Sequence, residues 1–102
     1  MGLEVVVEDE RGRRLASVED PTKILRRFLP PPDDCSFACL RYVDLYGDTM
    51  FNRLQMPDVV KELRRVLEEA PVEGEKELLD RIIGLAVQCQ SAPHLYLRFY
   101  GD

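Results

Sequence analysis

The chain has 102 residues, 45% of them hydrophobic and 32% charged, with a formal net charge of -5. That length fits one domain with a two-layer core, and the composition excludes disorder over most of the chain. The acidic balance argues against a nucleic-acid partner: phosphate neutralisation needs a basic field, and the pairs Arg13-Arg14, Arg26-Arg27 and Arg64-Arg65 are interleaved with acids.

Residues 3–8, "LEVVVE", alternate as a strand, with Leu3, Val5 and Val7 on one face and Glu4, Val6 and Glu8 on the other. Gly12 in "DERGRR" supplies a turn, and "RLASV" returns as the second strand of a hairpin. In "EDPTKILRRFLPPP" the period changes. Asp20 is placed to cap, Pro21 to open and the prolines 30–32 to end a short helix of about two turns.

"CSFACLRYV" carries few charges and predicts a third strand, central in the sheet. "DLYGDT" then predicts a turn, and "MFNRLQM" an extended return or a structured loop. "PDVVKELRRVLEEA" is a helix opened by Pro57, with Val59, Val60, Leu63, Val66, Leu67 and Ala70 in one stripe, and Pro71 stops it. "KELLDRIIGLAVQCQ" is a second helix, with Cys89 on its buried side, and the short link makes the two an antiparallel hairpin. "PHLYLRFYG" is the last strand. Leu95, Leu97 and Phe99 face one way, and His94, Tyr96, Arg98 and Tyr100 the other. The sum is an α+β fold: a two-layer sandwich with a mostly antiparallel sheet and a helical hairpin on one face, spanning residues 1–102 as a single domain.

Tyr-Gly-Asp occurs twice, at residues 46–48 and 100–102, each time after a Leu-Arg-aromatic run. The glycines and aspartates suit strand termination. A calcium loop does not fit, because Asp44, Asp48 and Asn52 recur every fourth residue rather than at alternating positions. "YGDTMFNRLQMP" with the later "HLYLRFYGD" resembles a group of small uncharacterised bacterial proteins carrying YGDTxFN and HLYLxFxGD segments. The likeness runs from about Leu40 to the end and extends more loosely to the N-terminal hairpin. It implies a standalone bacterial domain and supplies no catalytic roles.

Cys35, Cys39, Cys89 and His94 are the residue types a zinc ion uses, but on one strand Cys35 and Cys39 would stand about 13 Å apart, too far for one ion. No Gly-x-Ser-x-Gly elbow, Walker loop or Gly-x-Gly-x-x-Gly is present. No metal or cofactor is therefore expected. With no membrane-length apolar run, no signal-peptide pattern and an odd number of cysteines, the sequence points to a cytoplasmic protein without a membrane partner.

What remains is composition on the outer face of the last strand. Tyr96, Arg98 and Tyr100 share it, Arg41 joins them if the third and last strands are neighbours, and Asp44 and Asp48 rim it. Tyrosine and arginine carry much of the binding energy at protein interfaces. The expectation is a small non-enzymatic protein-binding module, one concrete form being an immunity or antitoxin-like inhibitor of a basic protein. The alternatives are a small metalloprotein or enzyme using Cys35, Cys39, His94 and the Asp44-Asp48 loop, and a homo-oligomer that pairs the face with itself.

Overall fold

A computed structural model describes residues 3–20, 23–70 and 72–101. The sheet is built from β1 (Glu4–Asp9), β2 (Arg14–Glu19), β3 (Asp48–Phe51) and β4 (Leu95–Tyr100), in the spatial order β2-β1-β4-β3 with every pair antiparallel. Two helices, α1 (Met56–Glu69) and α2 (Glu73–Gln90), pack on each other, and α2 lies against the sheet. This is the α+β sandwich with a helical hairpin that the sequence predicts. Among the described residues no helix is long and apolar enough to cross a membrane.

The β1-β2 hairpin turns as its sequence requires. Gly12 takes φ +79°, and Asp9 accepts the amides of Arg11 and Arg13, each at 2.9 Å. Val5 pairs with Phe99 and Val7 with Leu97, placing four apolar side chains on the helix side of the two central strands. They meet Leu79, Ile82 and Ala86 of α2, all fully buried. Phe51 brings β3 into this core by standing edge-on to Phe99 at 5.9 Å and 85°.

The expected short helix is smaller than predicted. It is a single 3-10 turn, Leu25–Arg27, because Asp20 accepts the Ile24 and Leu25 amides at 2.9 and 2.7 Å and the proline ridge follows at once. Asp20 is 2% exposed, so both its bonds form away from water. Arg27 donates to the buried carboxylate of Glu75 at 2.8 Å and ties this turn to the start of α2. The predicted roles of Pro21 and Pro71 fall outside the described residues.

The third strand does not form. Residues 35–43 run through turns into a 3-10 turn, Leu40–Tyr42, and the fourth place in the sheet goes to β3. The physical reason is Glu62 of α1. Its carboxylate, on a residue 6% exposed, accepts the amides of Ala38, Cys39 and Leu40 at 2.9 to 3.3 Å. Those amides point at a helix, so they cannot enter a ladder. Phe37, Cys39 and Leu40 still reach the core, which explains why the segment reads as strand-like. The segment predicted as an extended return or a loop does both: Phe51 ends β3, and Asn52 and Gln55 form a capping box over the 3-10 turn Arg53–Gln55 that leads into α1.

Glu62→Ala leaves three inward-pointing amides without an acceptor. It is expected to lower the unfolding free energy by about 3 kcal/mol, and the melting temperature by more than about 10 °C for a domain of this size. Thermal and urea denaturation of the variant measure both.

Candidate functional site

The sheet face turned away from the helices is built from the alternate residues of each strand. On β1 these are Glu4, Val6 and Glu8; on β4 they are Tyr96, Arg98 and Tyr100. Arg14 comes from β2, and Asp48 and Met50 from β3. The predicted outward direction of Tyr96, Arg98 and Tyr100 is the observed one.

The centre of this face is dry. Val6 is completely buried although it lies outside the core cluster, with Ser17 and Arg98 as its cross-strand neighbours. Glu8 is 3% exposed. A buried carboxylate needs partners, and it has two: Arg98 donates to one oxygen at 3.3 Å and the Tyr100 hydroxyl donates to the other. The second nitrogen of Arg98 reaches Asp48 at 3.3 Å. The Tyr100 ring carries two guanidinium groups against it, Arg14 at 5.2 Å and Arg98 at 4.9 Å from its centre, and Arg14 in turn bonds Glu4 at 2.9 Å.

This arrangement sets the titration of its members. The bond to Glu8 first, then burial, raises the Tyr100 phenol above its ordinary value. At Arg98 burial opposes the charged form, but the Glu8 bond and the neighbouring negative groups outweigh it and hold the guanidinium more firmly protonated. The Glu4 bond does the same for Arg14. Both arginines are therefore fixed cations. Around them stand Glu4, Glu8, Glu19 and Asp48, so four carboxylates outnumber two guanidinium groups on this face.

The predicted partner-binding residues divide between two places. Asp48, Tyr96, Arg98 and Tyr100 gather on the sheet face. Arg41 does not join them, because its segment is not a strand; it sits in the 3-10 turn, donates to Cys35 at 3.0 Å and stacks on Tyr42 at 4.7 Å. Asp44 turns its carboxylate back to accept the Tyr46 amide at 2.9 Å. Arg41 and Asp44 both line a cleft between residues 41–46 and the proline ridge.

The two Tyr-Gly-Asp triplets meet. Gly101 donates to the Gly47 carbonyl at 2.7 Å, and Asp48 pairs with Tyr100 in the ladder. The second triplet begins with the last residue of β4, but the first leads into β3 rather than ending a strand. Asp102 lies outside the described residues. A side chain at Gly101 would meet the carbonyls of Asp44, Leu45 and Gly47 at 2.6 to 2.7 Å, so only glycine fits there.

The candidate metal ligands stay apart. Cys39 and Cys89 are buried, and burial pushes each thiol up to about 11, away from the thiolate that a metal or a nucleophile needs. Cys35 is exposed beside Arg41, and His94 pairs with Glu10 at 3.3 Å on the surface. Among the described residues no three His, Cys, Asp or Glu side chains form a group that could hold a metal ion. The sequence reading missed Glu8 and Arg14 as members of the sheet-face network. A glutamate beside a run of valines is the signal for Glu8, and nothing short of the register reveals Arg14.

No protein-family profile, curated protein or solved structure matches the chain.

Tyr100→Phe keeps the stacked ring but leaves Glu8 one donor, and is expected to cost about 1–2 kcal/mol at neutral pH. Because folding raises the phenol's pKa, the contribution is whole below about pH 10, its unfolded value, and is lost as pH rises through the folded value. Wild type should thus shed more stability than Tyr100→Phe in urea titrations between neutral and strongly alkaline pH. Parallel curves would rule out the bond.

Proposed function

We propose that the protein is a small, non-enzymatic binding module of a bacterial cytoplasm whose outer sheet face docks a basic protein. The observation that carries this reading is the Tyr100 ring held by Arg14 and Arg98, with its hydroxyl and Arg98 both bonded to the buried Glu8 carboxylate. The side chains are locked by one another before a partner arrives, so docking loses little side-chain entropy. Tyr96 and Tyr100 remain part-exposed, and Met50 is 55% exposed beside them. Aromatic rings and a methionine over a rigid polar centre make up the composition of an interface core.

The charge selects the partner. With carboxylates in excess, two copies of the face repel each other, which argues for a basic partner over self-pairing. A stoichiometric inhibitor of a basic protein, in the manner of an immunity protein or antitoxin, has this character. The free state of Cys35, Cys39 and Cys89 suits a reducing compartment. Residues Asp48, Tyr96, Arg98 and Tyr100 are the contacts of this reading.

The test uses Met50→Lys and Tyr96→Lys, which spare the Glu8 bonds. A partner obtained by crosslinking in the host is purified and titrated against wild type and the double variant. The expected result is at least a ten-fold loss of affinity with unchanged thermal stability, together with weaker wild-type binding as salt rises. Equal affinity for both proteins would refute the docking face, and concentration-dependent self-association in sedimentation would favour pairing of like faces.

A further inference from the structure

We infer that the cleft between the proline ridge and residues 41–46 is a binding site for a small organic monoanion, an apolar body carrying one carboxylate. The inference is independent of the proposed docking face and shares no residue with it. The cleft has a volume of about 570 Å³, within the range of small-molecule sites and too small for a folded partner. Its walls are apolar: Leu29 and the prolines 30–32 on one side, Val43 and Leu45 on the other. Tyr42 and Tyr46 are 61% and 75% exposed, large rings that the fold leaves uncovered here.

Its polar equipment is specific. Arg26 lies over the Tyr46 ring at 5.6 Å and Arg41 over the Tyr42 ring at 4.7 Å, so each guanidinium is held in place by an aromatic face. Among the described residues neither has a carboxylate within ion-pair distance. Arg41 donates to the Cys35 sulfur, a weak acceptor, and its Nε is buried without a partner. Arg14, Arg27 and Arg98, by contrast, each have a carboxylate, while Arg65 is held by Ser36 and the Phe37 ring. Two cations without an ion pair at an apolar cleft suit an anion. Asp44 lines the same space, so the local balance is one positive charge, which fits a monoanion and disfavours a phosphate dianion.

The larger groove along α1, about 860 Å³, carries no such signal. Asp58, Lys61, Arg65 and Glu68 mix both signs there, and Glu62 is already filled by backbone amides.

The test titrates 15N-labelled protein with sodium 2-naphthoate, with the neutral 2-naphthylmethanol, and with inorganic phosphate. The inference expects saturable shifts of the Arg41, Tyr42, Val43 and Tyr46 amides with naphthoate at a dissociation constant of ~1 mM or below. The alcohol should bind about ten-fold more weakly. Arg26→Gln and Arg41→Gln should each erase the preference for the acid while leaving the alcohol unchanged; Arg26 makes no hydrogen bond that the fold relies on, so its variant is informative even if Arg41→Gln is unstable. Equal affinity for acid and alcohol, shifts that map outside the cleft, no saturation, or the same shifts from phosphate alone would each overturn the site.

Discussion

One carboxylate decides how this chain is laid out. Glu62 projects from α1 into the backbone of residues 38–40 and accepts three amides in a nearly dry place. A carboxyl group that accepts three amides is a strong arrangement, and it competes successfully with a strand ladder for the same amides. The consequence spreads both ways along the chain. Upstream, the proline ridge faces residues 41–46 and a cleft opens between them. Downstream, β4 is left with an unfilled neighbour, and Asp48–Phe51 takes the place.

The two faces of the sheet solve the same problem by different chemistry. Toward the helices, Val5, Val7, Leu97 and Phe99 are covered by α2 in the ordinary hydrophobic way. On the other side no helix or second sheet among the described residues covers Val6, yet it is equally dry. The stems of long charged residues and a tyrosine ring take the part of that layer. The centre therefore depends on Arg98, Tyr100 and Glu8 staying together, since loss of any one exposes a buried charge or an apolar side chain. The proposed docking and the packing share these positions, which is why Met50 and Tyr96 are better places to probe docking.

The elements that were legible in the sequence had a period and a boundary. The helices repeat at helical spacing, and the hairpin alternates about a glycine turn. The outward face of β4 was legible for the same reason, and with it Tyr96, Arg98 and Tyr100. Residues 35–43 were misread because low charge and aromatic content describe burial, and burial is shared by strands and by loops that a side chain pins to a helix. The clue was Glu62 itself, which falls three residues after Val59 and four before Val66, on a stripe where a carboxylate needs a reason. The Asn52-Gln55 box was a second readable signal, spaced as a helix start. Cross-strand neighbours such as Arg14 and Tyr100 could not be read, because register is set by three dimensions rather than by spacing.

The order β2-β1-β4-β3 has a kinetic side. The hairpin and the helix pair each join neighbours in the chain, but Arg98 meets Glu8 across ninety positions. Closing so wide a loop forfeits chain entropy before any ladder bond is made, the kind of long-range pairing that slows the acquisition of a native state. Until it occurs the two halves of the sheet keep bare edges, the exposed backbone on which unfinished chains pair with one another.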